Sequence, residues 1–308
     1  MKKEKGLIQS NLATFGMYKF SSWQMNCLVH LVEQLQPAMS RDIDWLSADL
    51  KVFQEHLPLD KNGNLLIPIQ MKEIDKYHHG SIVLNEIKKM FKQTIKYNFT
   101  NEQGKLVRRE CYLISTMDID EDDNIVLGMP VTSLRWLLYY GKGIGGTIYD
   151  KKSVVSMNGV YAKRIFMMLS RWKDKRVFSM KIAVIMNELQ TPEYSVQDFE
   201  RKVLKTAFEE MIRNPNSVLQ FKYSLSYTGT KVGKGKRGFD TVTFKVYDKL
   251  SKAQMEEFLT DSWSNRIIAV LPFCSVIRHI ILFQQTFQIH RCLISRVYNL
   301  NLVPHISP

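Results

Sequence analysis

Residues 141–146 read GKGIGG, with glycines at the first, third and sixth positions of the pattern that cradles a dinucleotide pyrophosphate. That chemistry needs a strand running into the glycine turn and a helix leaving it, so that free helix N–H groups face the phosphates. Neither flank meets the requirement. Upstream, TSLRWLLYY (132–140) opens with a capping Thr132 and sets Leu134, Leu137 and Leu138 at helical spacing. Downstream, TIYDKKSVV is β-branched and aromatic, and no acidic residue follows a second strand at the usual distance. The stretch reads as a flexible connector between two units, with no nucleotide cofactor.

Other residues with chemical potential are equally isolated. His78 and His79 are adjacent, so they point in different directions, and no third ligand lies nearby in sequence; they read as exposed turn residues. The histidine-apolar-histidine triplet that rolling-circle nicking enzymes use for a divalent metal is absent. Tyr139 and Tyr140 therefore lack the metal partner of a nicking tyrosine and read as helix-end packing. Cys27, Cys111, Cys274 and Cys292 are far apart with no CxxC pair, which argues against a zinc site or disulfide framework and fits a reducing cytoplasm. We expect no catalytic residue, no metal and no cofactor, hence no enzyme. The longest apolar run, IIAVLPFCSVI (267–277), is too short to span a bilayer and contains Pro272, so nothing asks for a membrane.

Charge is what stands out. The 308-residue chain has a net charge of +13, and its distribution is uneven. Residues 1–149 hold 18 Lys and Arg against 17 Asp and Glu, whereas residues 150–250 hold 20 against 10. A block with such an excess carries the electrostatic footprint expected for a polyanion.

Within that block the elements follow in a legible order. NGVYAKRIFMMLSRW (158–172) places Tyr161, Ile165, Met168, Leu169 and Trp172 on one helical face. VFSM is a short strand, KIAVIMNEL (181–189) a helix, and QTPEY a break containing Pro192. SVQDFERKVLKTAFEEMIR (195–213) is a second helix, capped by Ser195 with Asp198 completing an approximate capping box. Val196, Phe199, Val203, Ala207 and Glu210 share its inner face, with Leu204 and Met211 at the margin; Gln197, Asp198, Arg201, Lys202 and Lys205 lie opposite. Two alternating strands, SVLQFKYSLSYT and FDTVTFKVYD, then flank a glycine-rich tip bearing Lys231, Lys234, Lys236 and Arg237. Helix, turn, helix and basic hairpin make a winged helix. Its second helix can enter a major groove, and its wing can neutralise phosphates.

The neutral half repeats the order more weakly. SSWQMNCLVHLVEQL (21–35) is a capped helix with Met25, Leu28, Val29, Val32 and Leu35 on one face, and LLIPI is a strand. MKEIDKY and SIVLNEIKKMFKQTI (81–95) form a second helix-turn-helix, with Ile82, Ile87, Met90 and Phe91 inward and Ser81, Lys88, Lys89 and Lys92 available to DNA. IKYNFT and LVRRECYLISTMDI form its hairpin, and NIVLGM adds a strand. The expected fold is α+β: two tandem winged-helix domains related by a pseudo-twofold repeat, with an atypical C-terminal tail. Boundaries fall at 8–140, a linker at 141–157, 158–250, and a tail at 251–308.

GVYAKRIFMMLSRWKDK and YSVQDFERKVLKTAFEEM, and more loosely SNLATFGMYKFSSWQMNCLVHLV, resemble the theta-type plasmid replication initiators, the iteron-binding Rep proteins of two winged helices (Rep_3/RepB-like). The resemblance covers residues 8–248. Phe199, Val203, Leu204 and Ala207 match that family's packing face; Arg201, Lys202 and Lys205 match its DNA-facing side. It implies a bacterial, plasmid-encoded cytoplasmic protein whose monomers bind direct repeats at an origin, promote its opening and recruit the host initiator and replicative helicase. It also implies homodimers, joined through the N-terminal unit, that bind the operator of their own gene. The alternative is a winged-helix transcriptional regulator without a replication role, although two units on one chain favour the initiator. A relaxase or recombinase would need a nucleophile with metal or arginine support, and no such cluster is present. Residues 262–308 fit none of this: they contain no acidic residue, lysine or glycine, yet four arginines and three histidines. They read as a non-homologous end arising from an altered reading frame or rearrangement, or else as a partner-binding segment.

Overall fold

The computed structural model describes residues 6–36, 58–74, 80–100, 103–121, 124–138, 145–228 and 238–249. The chain divides into two compact units, Met1–Lys249 and Leu250–Pro308, and every described residue belongs to the first. The tail, His78, His79, Tyr139 and Tyr140, and the first four residues of the glycine stretch lie outside the described residues.

A helix runs through the middle of the first unit. α7 (Val160–Trp172) is buried at every position from Ala162 to Ser170. The sequence reading gave it one apolar face, but a helix covered on all sides has no solvent stripe to keep polar. Burial extends to two cations, Lys163 and Arg164. Lys163 Nζ donates to Asn26 Oδ1, and the Arg164 guanidinium donates to the carbonyls of Tyr18 (3.0 Å) and Gly16 (2.7 Å) while lying 4.0 Å over the Tyr18 ring. Charged donors at such depth persist because each finds a hydrogen-bond acceptor or an aromatic face. The partners come from the N-terminal half, so α7 holds both halves together.

The first half starts with β1 (Leu7–Ser10) and the short α1 (Asn11–Thr14). α2 (Ser22–Leu35) is closed by a full capping box, Ser21 Oγ accepting from Gln24 N and Gln24 Oε1 from Ser21 N at 2.9 Å. β2 (Leu65–Ile69), α3 (Met71–Ile74) and α4 (Gly80–Met90) follow. Then come β3 (Thr94–Thr100), β4 (Leu106–Tyr112), β5 (Thr116–Ile119), β6 (Ile125–Met129) and α5 (Val131–Leu138). In α4 it is Val83, with Ile87 and Met90, that is buried, and Ile82 is exposed, correcting its inward assignment. The helix stops at Met90, and Thr94 already belongs to β3. Thr132 lies inside α5 rather than capping it, because the helix begins at Val131, after Pro130.

β7 (Gly146–Tyr149) runs antiparallel to β1, pairing Leu7 with Tyr149 and Ser10 with Gly146, and α6 (Lys151–Val155) follows it. The linker expected over 141–157 therefore contains two short elements, Gly146–Tyr149 and Lys151–Val155. The alternation in GTIY found a partner strand at the far N-terminus, a pairing that local sequence does not announce.

The second half contains β8 (Val177–Lys181), α8 (Ile182–Glu188), α9 (Val196–Phe199), a π-helical turn (Glu200–Lys205), α10 (Thr206–Arg213), β9 (Leu219–Ser226) and β10 (Thr241–Asp248). Its sheet has the order β8-β10-β9, with Phe178, Phe221 and Phe244 packed together beneath it. The first half repeats this order as β2-β6-β5. The repeat is real, but the element matching the second wing is β5–β6, not the hairpin over 94–112. β3 and β4 form a separate two-stranded sheet inserted before it.

Candidate nucleic-acid interface

α8 and the next helix meet at a turn in which Gln190 takes φ 57°, and Thr191 N donates to Met186 O at 2.7 Å. Ser195 then caps α9, its Oγ accepting from Asp198 N at 3.1 Å. From there α9, the π turn and α10 form one continuous helix that buries Phe199, Val203, Leu204, Ala207 and Met211. Four-residue spacing drifts by about 40° per step in an α-helix of 3.6 residues per turn. The wider π turn takes up the drift, which is why Leu204 and Met211, placed at the margin by α-helical geometry, are fully buried. The Thr206 hydroxyl donates to Arg201 O, five residues back, at 3.3 Å within the same turn.

Glu210, assigned to the inner face, has a specific task there. Its carboxylate accepts the N–H groups of Asn158 and Gly159 at the start of α7, a cap supplied by another helix. A Cβ on Gly159 would meet Glu210 Oε2 at 2.5 Å, so a side chain there would push the capping carboxylate aside.

On the solvent side, Gln197, Arg201 and Lys202 are exposed and Lys205 partly so. Asp198 ties the group together: Oδ1 lies 2.8 Å from Arg201 and 3.4 Å from Lys202, and Oδ2 accepts from the Ser195 hydroxyl at 3.2 Å. The Arg201 bond, with Lys202 adding to it, holds the Asp198 carboxyl below its ordinary value. Lys202 also lies 4.8 Å over the Tyr194 ring, and Lys205 is 3.9 Å from Glu209. These exposed pairs add little stability, so their cations are cheaply released to another anion.

The wing ladder runs from Leu219 paired with Asp248 to Ser226 paired with Thr241. Asp240 fastens its base, accepting from Lys181 at 3.0 Å, from Thr241 Oγ1 at 2.8 Å and from Thr228 N at 3.0 Å. Desolvation opposes its ionisation, but these donors prevail and hold the carboxyl far below its usual range. Lys231, Lys234, Lys236 and Arg237 lie in the tip, outside the described residues.

In the first half, Ser81, Lys88, Lys89 and Lys92 are all exposed. They belong to α4 and the turn after it, separate from the Ser195 helix. Glu86 pairs with Lys89 and accepts from the Ser21 hydroxyl at 2.7 Å, which together keep its carboxyl low. The β5–β6 connection contrasts with the second wing: residues 120–124 carry Asp120, Glu121, Asp122 and Asp123 and no base, and Asp118 of β5 precedes them.

Sequence reasoning missed Asn26, Lys163, Arg164 and Asp240. Only Asp240 had a local signal, as the acid bounding a basic tip; the others depend on contacts between distant segments. Among the described residues no group of three or more His, Cys, Asp and Glu could hold a metal ion, and no helix is long and apolar enough to cross a membrane.

The profile of the first winged-helix domain (WH1) of initiator replication proteins matches residues 7–170, more than half of the chain. The chain belongs to the initiator replication protein family. The matched segment runs through most of α7, so the initiator's central helix falls within it. No curated protein matches the sequence. Among solved structures, the initiator is similar to the Pi initiator protein in complex with iteron DNA, at 10% identity and a TM-score of 0.54, over 82% of this chain and 100% of that one. At such identity the likeness establishes the winged-helix α+β fold. Domains 2 and 3 of RctB align at 11% identity and a TM-score of 0.32, over 63% of this chain and 76% of that one, too low to carry an argument.

Proposed function

We propose that this initiator binds direct repeats, iterons, at a plasmid origin and promotes opening of the DNA beside them. The observation that carries the reading is its family membership together with a fold alignable over the whole of an initiator crystallised on iteron DNA. The helix beginning at Ser195 supplies the reading surface through Gln197, Asp198, Arg201, Lys202 and Lys205. Lys231, Lys234, Lys236 and Arg237 grip phosphates from the wing, giving affinity without sequence information. Ser81, Lys88, Lys89 and Lys92 give the N-terminal unit an auxiliary backbone contact. That unit, over 8–140, also joins two copies into a dimer that binds the operator of its own gene, and 158–250 is the main DNA-binding domain. Host initiator and helicase are the further partners, the site of action is the bacterial cytoplasm, and no catalytic step is involved.

Footprinting the protein on the DNA flanking its gene, across a salt series, tests this. Protection of several evenly spaced direct repeats beside an A·T-rich stretch is expected. A single protected inverted repeat over the promoter would mark a regulator instead, and no specific protection would remove the reading.

A further inference from the structure

Asp240 stands where three strands end together. Its neighbour Thr241 pairs with Ser226 of β9 and with Lys181 of β8, so residue 240 lies at the root of the wing and beside the residue that opens the helix-turn-helix. Its main chain joins the two: its N–H donates to Ser226 O at 3.0 Å, and its carbonyl accepts from the N–H of Ile182, the first residue of α8, at 2.9 Å. The carboxylate doubles the connection. Oδ1 accepts from Thr228 N and Oδ2 from Lys181 Nζ, each at 3.0 Å, and the Lys181 ammonium also donates to the Thr228 hydroxyl. At the first wing, Asp120 accepts from the backbone and side chain of Asn124, four residues on, whereas the Asp240 carboxylate reaches a third strand. A negative charge at the foot of a wing that grips phosphates is electrostatically adverse, so its presence is explained by what it holds. Four cations on a glycine-rich tip give full affinity only if the root of the wing is already fixed, because freedom lost on binding subtracts from it.

We infer that Asp240 is a positioning residue for DNA binding: its carboxylate locks the root of the wing to the start of α8, so that the tip cations and the Ser195 helix bear on the same duplex. This rests on the proposed reading of the wing as a phosphate grip.

Asp240→Ala has two effects of opposite sign. Removing a negative charge near the phosphates favours binding, whereas loosening the wing opposes it. Affinity of the full-length protein for the DNA flanking its gene and for a random-sequence duplex, each across a salt series, shows which prevails. Asp240→Ala is expected to bind both duplexes about fivefold more weakly, with a flatter dependence of log affinity on log salt. Asp240→Asn, whose amide oxygen still accepts from Thr228 N and Thr241 Oγ1, should recover most of the loss. With Lys231, Lys234, Lys236 and Arg237 all changed to alanine, adding Asp240→Ala should weaken binding no further, because the wing has no grip left to position. Binding by Asp240→Ala as tight as the wild type's or tighter, no recovery in Asp240→Asn, or an undiminished loss on the four-alanine background would each overturn the inference while leaving the wing reading intact. If the four-alanine variant binds both duplexes as the wild type does, the wing reading falls and the inference with it.

Discussion

Arg201 and Glu188 stand on the two helices of one helical pair, the first exposed and the second largely enclosed. The Arg201 side chain is exposed and its guanidinium is bonded to the Asp198 carboxylate, which its fork can exchange for a base edge. Changing Arg201 to Ala is expected to weaken specific binding by about 1–3 kcal/mol and relax one base position, while random DNA is bound with a smaller loss. Titrations of both duplexes check this; equal losses on the two would count against a reading role. Glu188, at the end of α8, has an enclosed Oε2 without a hydrogen-bond donor, and burial pushes its carboxyl up to about 7 against the lowering effect of Arg164. A raised carboxyl favours the protonated fold, so its contribution is complete below pH 4.5 and is lost as pH rises through about 7. Glu188→Gln should therefore be more stable than the wild type at pH 8, by about 1–2 kcal/mol after allowing for partial exposure, and the difference should shrink toward pH 5. Urea unfolding at the two pH values measures it.

Elements differ in how far their own sequence specifies them. The Ser195 helix and the β9–β10 hairpin were legible because their signals are local: a capping serine, a helical apolar spacing, and alternation on both sides of a glycine-rich tip. The first wing was misplaced because two hairpins follow α4, and choosing between them requires knowing that β2 pairs with β6. Nothing within 94–129 alone encodes that choice; it is made by the burial of Leu127 and Met129 against Leu65 and Ile67 of β2. The π turn was invisible for a similar reason, since a four-residue apolar spacing fits an α-helix until the facing core fixes which residues are covered. The two wings also have opposite charge, four acids in the first connection against four bases in the second tip. Only the second can serve as a phosphate grip. Lys234→Ala should lower affinity on all duplexes and flatten the dependence of log affinity on log salt by about one. A loss confined to one sequence would instead mean that the tip reads bases.

At the scale of the whole unit, the question is whether its two halves are separable. The sequence divides them at a glycine stretch, yet the chain crosses back twice: β7 pairs with β1, and α7 sends Lys163 and Arg164 into the N-terminal half. Arg164 alone satisfies two carbonyls, of Gly16 and Tyr18, and a hydrogen bond from a charged donor contributes about 1.5–3 kcal/mol. Its opposite flank carries the Glu210 cap and the packing of α10, so α7 transmits loss of structure in either half to the other. Met1–Lys249 is therefore expected to open as one cooperative unit. Hydrogen exchange tests this at β6 in the first half and β10 in the second: both should show the same opening free energy. Arg164→Met should lower both by the same few kcal/mol. A fall confined to β6 would mean that the halves are independent domains joined by contact, and that the orientation of the Ser195 helix relative to α4 is set by bound DNA rather than by α7.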